Sequence, residues 1–390
     1  MILEQLKAWQ ADAIKIRRTI HMHPEIGFEE FKTQRLIVSE LMRYGITEID
    51  TSFAKTGVVA VINGNRPGPS IGLRADMDAL PTTEHNTFAH ASTIDHCMHG
   101  CGHDGHTTML LMAARYLATF NDFGGRVVLF FQPGEEGHGG AETMVIKERV
   151  FDHYPVDEVY ALHNWPGLPV GTFAFKTHNI MASSDRLFIT VKGKSGHAGL
   201  PHKAQDPLLV ATHIYQGIQG LVSRMFDPLE PLVVSITQIH AGQTNNVISD
   251  EAKLSGTFRT HSKAVRESLI EKLTTLVTHM AEAFGMEAIL ELGPIHHPVT
   301  YNSDAETARA IEAAASIVGQ DNVITEITPM MTAEDFAHFL DHRPGCYGFI
   351  GNGTEKPHSV DLHNAHYDFN DDIIPFGAAY FVALIFAHSQ

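Results

Sequence analysis

The sequence predicts an α/β protein of two domains, the second a separate α+β layer inserted into the first. Three observations predict it. Short β-branched runs alternate with helical patterns along the first part of the chain, the signature of strands covered by helices. From Asp185 onward two strands run consecutively, which breaks that alternation. The length of 390 residues, at roughly 150 per domain, leaves room for two or three domains.

The elements follow in order. Leu3, Leu6, Trp9 and Ile14 recur at helical spacing among polar residues, without the uninterrupted apolar core of a secretory signal. A helix is expected over 31–44, strands over 57–62 and 70–73, a helix over 107–120, and strands over 126–131 and 158–162. The middle stretch, 184–293, reads strand 186–191, helix 207–224, strands 232–239 and 252–260, helix 262–284 and strand 287–292. Its size suits a domain of its own, which leaves 1–183 as the first part of the main domain. Gly293-Pro294 marks the return, and 294–390 carries helices over 304–317 and 333–340, a strand over 346–350 and a terminal helix.

Composition excludes several classes. Hydrophobic residues at 44% and charged residues at 19% are a globular mixture. With 28 basic against 45 acidic residues the formal charge is -17, so nucleic-acid phosphates are repelled and no such partner is expected. Three cysteines make no disulfide framework and suit a reducing, cytoplasmic compartment. The longest apolar stretch, 373–387, is interrupted by Pro375 and falls short of the ~20 residues that span a bilayer. A buried helix without membrane association is expected there.

Residues 96–106 place four histidines, two cysteines and an aspartate in eleven positions. That is a metal-ligand density, because imidazole and thiolate are preferred ligands of Zn and its neighbours and glycines let them converge. Cys101 and His103, two apart, face one side if the backbone is extended. His96, His99 and His106 are further candidates, with His106 better suited to cap a helix or support a ligand. His21 and His23 fit either a metal pair or a structured turn. Glu135-Glu136 follows a predicted strand, and adjacent carboxylates can divide labour between metal binding and proton transfer; the sequence does not say which does what. Asp76 and Asp78 can orient ligand histidines or form a turn.

Six ordered motifs then carry a resemblance over essentially the whole chain. They are His21-Met22-His23-Pro24-Glu25, Leu73-Arg74-Ala75-Asp76-Met77-Asp78-Ala79-Leu80-Pro81, Cys101-Gly102-His103-Asp104-Gly105-His106, Gln132-Pro133-Gly134-Glu135-Glu136-Gly137, Ser195-Gly196-His197-Ala198 and Met331-Thr332-Ala333-Glu334-Asp335-Phe336. The order resembles the M20 metallopeptidases, in particular the amidohydrolase branch with hippurate hydrolase, N-acyl-amino-acid deacylases and auxin-conjugate hydrolases.

The resemblance implies a catalytic α/β domain with a mixed sheet and an inserted ferredoxin-like lid and dimerisation domain. It implies two divalent metal ions (Zn, Mn, Co or Ni) held by Cys101, His103, Glu136, His163 and His363, with Cys101 as bridging thiolate. Glu135 would be the general base and Asp78 its supporting aspartate, although Asp76 replaces the family's usual histidine two residues before. His197 would steady the oxyanion, from its own or a partner subunit, and Asn246 with Arg259 would hold a substrate carboxylate. A strand-end salt bridge is the other reading of Arg259. Gly134 and Ser249 depart from residues common in this branch. The implied reaction is cleavage of N-acyl amino acids to a carboxylic acid and a free amino acid by a homodimer or larger homo-oligomer. A dipeptidase or carboxypeptidase, a nonenzymatic metal-storage protein and a Cys-His thiol hydrolase are the competing readings.

Overall fold

The apolar run at 58–62 does not alternate, as a strand covered on both faces requires, and it forms Val58–Asn63. In a computed structural model describing residues 2–388, this strand belongs to an eight-stranded mixed sheet. The order is Ile49–Asp50, Val58–Asn63, Gly124–Gln132, Arg66–Asp76, Glu158–Pro166, Gly345–Gly353, Phe173–Ala174 and Val323–Ile324. Gly124–Gln132, Arg66–Asp76, Glu158–Pro166 and Gly345–Gly353 run parallel, and Val58–Asn63 is antiparallel to its neighbour. Asp76, Gln132 and Pro166 therefore end at one edge, where open α/β sheets place their sites.

Helix His103–Thr119 is buried along most of its length and packs against the terminal helix Ile374–Ala387. Glycine at 377 makes room for Met109, whose Sδ would lie 2.0 Å from a Cβ there and would have to move for any side chain. Pro375 sits in the first turn of the terminal helix, where its missing N–H costs nothing. Among the described residues no helix is long and apolar enough to cross a membrane.

The sheet belongs to a unit formed by residues up to Ile180, Thr300–Pro329 and residues from Asp335 on; Met181–Val299 and Met330–Glu334 form the second unit. Its four strands are antiparallel, in the order Leu232–Ala241, Glu251–Thr260, Ser184–Lys192, Glu287–His297. With helices Pro207–Met225 and Lys263–Glu282 between them, the succession is β-α-β-β-α-β, the ferredoxin-like arrangement. Asp185, Leu187, Ile189 and Val191 point inward at the strand period of two. The last three pack with Val210, Ile214, Leu269 and Leu273 of the helices. Asp206 accepts from the N–H groups of Leu208 and Leu209 at 3.0 and 3.3 Å and caps the first helix, worth about 1 kcal/mol.

Local differences from the sequence reading have physical causes. The strand Glu287–His297 runs on through Gly293-Pro294, because a register shift between Leu292 and His296 absorbs the irregularity. Met330–Glu334 joins the second unit through the N–H of Ala182, which donates to the carbonyls of Met330 and Thr332 at 3.0 and 2.9 Å. His163 lies inside Glu158–Pro166 rather than after it.

Candidate metal centre

Gly102 sets the geometry of the cysteine-histidine pair. It adopts φ 92° as N-cap of His103–Thr119, and a Cβ there would lie 2.3 Å from Oδ1 of Asn164 and 2.6 Å from Oη of Tyr367. Cys101 and His103 therefore converge across a left-handed turn, with His103 already helical, rather than along extended backbone. Their ligand atoms and that of His163 lie within 4.8 Å of one another, as do those of Cys101, Glu136 and His363 and those of His103, Glu135 and Glu136. The six residues thus converge on one place. His363 is held by a left-handed backbone, φ 64°, and its N–H donates to the Gly100 carbonyl at 2.7 Å.

The ring nitrogens are assigned by their partners. Nδ1 of His103 donates to the Asp78 carbonyl at 2.9 Å and lies 3.3 Å from its Oδ1. Its Nε2 is left bare, buried and without a hydrogen-bond partner, as is Oε1 of Glu136 3.9 Å away. Nδ1 of His163 donates to the Asn164 carbonyl at 2.7 Å, which turns Nε2 to Sγ of Cys101 at 3.4 Å. Nε2 of His363 lies 3.3 Å from Oε1 of Glu136. Oδ2 of Asp78 accepts the N–H of Glu136 at 3.0 Å, so one aspartate orients a histidine and a carboxylate-bearing loop.

Electrostatics favour a cation here. Burial opposes a proton on His103, but the charges of Asp76, Asp78 and Glu136 outweigh it and push its pKa up to about 10. Burial and neighbouring His106 keep His163 neutral, with its lone pair available. An imidazole whose buried Nε2 has no hydrogen-bond partner, a second whose Nε2 faces a buried thiol, and a carboxylate oxygen beside a third imidazole suit divalent metals of borderline softness. The donor set fits.

The other candidates are engaged elsewhere. His106 uses Nδ1 on Asp76 at 2.6 Å and Nε2 on Asn164 Oδ1 at 2.7 Å. His21 pairs with Asp104 at 2.8 Å and Glu84 at 3.2 Å. His23 binds the Thr19 carbonyl and His96 the Thr83 hydroxyl. His99 is buried, and burial pushes its pKa down to about 4. Asp76 pairs with Arg74 and His106, yet its Oδ2 is also 3.8 Å from Nε2 of His103, so that Asp76, His103 and His106 form a second candidate group beside the first. Glu30, which carries no motif signal, accepts the Gly134 N–H at 3.0 Å beneath the loop that bears Glu135.

His197, Asn246 and Arg259 all lie in the second unit. His197 and Val247 pair in a short ladder, and the Ala198 N–H donates to the Asn246 carbonyl at 3.0 Å. Nδ1 of exposed His197 accepts the Gly199 N–H at 3.0 Å, which leaves the proton on Nε2. The half-buried Arg259 sits in Glu251–Thr260 opposite Val233, and burial lowers its pKa. Among the described residues it has no salt-bridge partner.

Parallel strands at the centre of a mixed sheet, ending in a cluster of imidazole, thiol and carboxylate, define a metallohydrolase-like architecture. The chain belongs to the family described as Peptidase family M20/M25/M40, which residues 72–387 match. It is 37% identical over 383 residues to hippurate hydrolase of Campylobacter jejuni, covering 98% of each chain. It is 37% identical over 380 residues to N-acetylcysteine deacetylase of Bacillus subtilis, covering 97% of each. It is 35% identical over 380 residues to thermostable carboxypeptidase 2 of Saccharolobus solfataricus, covering 96% of this chain and 94% of that one. A solved dinuclear metal binding peptidase of the M20 family from Bacillus subtilis superposes with a TM-score of 0.83 at 33% identity, covering 98% of this chain and 99% of that one.

Proposed function

We propose that the protein is a metal-dependent amidohydrolase that splits N-acyl amino acids into a carboxylic acid and a free amino acid. The observation that carries the reading is the convergence of Cys101, His103, Glu136, His163 and His363 beside Glu135, in a chain so similar to a hippurate hydrolase and an N-acetylcysteine deacetylase. Those five residues would hold two divalent ions, Zn, Mn, Co or Ni. When bound, such a pair polarises a carbonyl oxygen and acidifies water toward neutral pH.

The chain's own groups do the rest. Glu135 takes the proton of the attacking water and returns it to the departing amine, so one carboxylate serves as base and then acid. Asp78 fixes its loop through the Glu136 N–H. His197, with its proton on Nε2, donates to the oxygen that gains charge on the scissile carbonyl. Arg259 and Asn246 bind the substrate carboxylate, a planar anion matched by the guanidinium fork. The second unit serves as the dimerisation domain of a homodimer or larger homo-oligomer, and three free, buried cysteines suit a cytoplasmic location.

The test is a panel of benzoyl-, acetyl- and aminoacyl-linked amino acids, assayed with and without complete chelation. Chelator-sensitive release of amino acid from the benzoyl or acetyl compounds is expected. Preference for aminoacyl linkages moves the assignment to a peptidase, in line with the carboxypeptidase relative; turnover that survives metal removal ends the metallohydrolase reading.

A further inference from the structure

Three of the motifs contain a residue to which the proposed chemistry assigns no role: Arg74, Gln132 and Asp335. They meet in one buried cluster, each no more than 1% exposed. Arg74 gives Nη1 to Asp76 Oδ2 at 2.7 Å, Nη2 to Asp335 Oδ1 at 3.0 Å and Nε to Gln132 Oε1 at 2.9 Å. Gln132 returns its Nε2 to both oxygens of Asp335, at 2.8 and 2.9 Å. Oδ2 of Asp335 also accepts the N–H of Ala141 at 2.9 Å.

The placement of these bonds along the chain is informative. Gln132 ends its strand in register with Asp76 and directly precedes Pro133-Gly134-Glu135-Glu136. Ala141 lies just past the far end of the same loop. One carboxylate, arriving from residue 335, therefore grips both stems of the loop that carries Glu135 and Glu136. The loop is also closed on itself, with the Gly140 N–H on the Gly134 carbonyl at 3.0 Å. At Gly140 a Cβ would fall 1.6 Å from the Pro133 carbonyl oxygen, so the closure tolerates no side chain. Arg74 sets the carboxylate in place by neutralising it in a site from which water is excluded, where an uncompensated charge would be costly.

We propose that Arg74, Gln132 and Asp335 form a positioning clamp that fixes the Glu135 carboxylate for proton transfer. None of the three is assigned a bond to substrate or metal; a carboxylate oxygen of Asp335 lies within 4.8 Å of one of Glu135, and the clamp holds that spacing through the two stems of the loop. A misplacement near 1 Å can cost about a hundredfold in rate when proton carrier and reactant must be aligned. The proposal rests on the reading of Glu135 as proton carrier, so its test carries that reading as a separate arm.

The test compares Gln132→Met, which keeps volume and removes the hydrogen bonds, with Glu135→Gln and the double variant, each metal-loaded and assayed on an N-acyl amino acid. Gln132→Met is expected to lower kcat by about ten- to a hundredfold with KM and bound metal per chain unchanged. In the Glu135→Gln background the same substitution should have no further effect, which a generally structural role would not produce. Unchanged kcat in Gln132→Met, lost metal, or additive losses in the double variant overturn the clamp. Full turnover in Glu135→Gln overturns the proton-carrier reading instead. Should Gln132→Met fail to fold, Asp335→Asn is read by the same criteria, and failure of both to fold overturns the clamp in favour of a folding role.

Discussion

Sγ of Cys101 lies 3.4 Å from Nε2 of His163, and the other nitrogen of that ring is already committed to the Asn164 carbonyl. With Nε2 thereby an acceptor, the Cys101 thiol donates to it, and a cation that displaces this proton would find sulfur and nitrogen already facing each other. Cys101→Ser replaces a soft anionic ligand by a hard neutral one. The variant should bind less than the full metal complement and lose turnover. Metal analysis after gel filtration checks it, and full occupancy would remove Cys101 from the ligand set.

Glu135→Gln keeps shape and removes the base. The expected outcome is an undiminished metal content with kcat lowered by about 10²–10⁴, the range general acid–base catalysis supplies. Turnover within a factor of a few of the parent would sink the assignment.

The second unit offers two separable effects. His197→Ala should cost about 10²–10³ in kcat, the usual loss of one oxyanion donor, with metals retained; metal loss would make His197 a ligand. Arg259→Met should act mainly on KM, and for N-acyl amino acids more than for the corresponding amides, which lack the carboxylate. Equal losses on both substrates count against carboxylate binding.

Glu30 predicts a pH dependence of stability. Burial and the charge of Asp78 push its carboxyl up to about 7 from an ordinary 4.5. The folded chain therefore holds a proton that the unfolded chain releases between pH 4.5 and 7. Stability falls as pH rises through that window, by up to about 3 kcal/mol. In metal-stripped protein Glu30→Gln should lose less of its melting temperature between pH 5 and 8 than the parent does. Parallel curves would contradict the shift.

Much of the fold was legible because its elements are strongly periodic. The inward Leu187, Ile189 and Val191 and the unbroken apolar run at 58–62 announce two kinds of strand, one half-covered and one buried on both faces. Motif density pointed to Cys101 and His103, whose ligand atoms the fold brings within 4.8 Å of each other and of His163. What local pattern hides is backbone handedness and long-range pairing. The turn at Gly102 replaces the extended geometry expected for Cys101 and His103, and nothing near Gly293-Pro294 reveals the bulge that carries the strand through. Asp335 lies within a recognisable motif, yet its two partners on the loop stems are about two hundred residues away in sequence. Glu30 has no signal at all, since an acidic residue between Glu29 and Phe31 reads as surface until the Gly134 N–H is found above it.

The chain leaves the first unit after Ile180 and resumes it at Thr300. Ribosomal synthesis therefore delivers Cys101, His103, Glu135, Glu136 and His163 long before Asp335 and His363. Until the strand Gly345–Gly353 docks beside Glu158–Pro166, the loop stems lack their carboxylate anchor and the centre lacks its last imidazole. Such late, non-local pairing makes assembly slow relative to a chain of local contacts. A polypeptide ending short of residue 335 would carry most of the candidate ligands, with Asp78 and Asn164 to orient them, but without the carboxylate that ties the two stems of the Glu135 loop together.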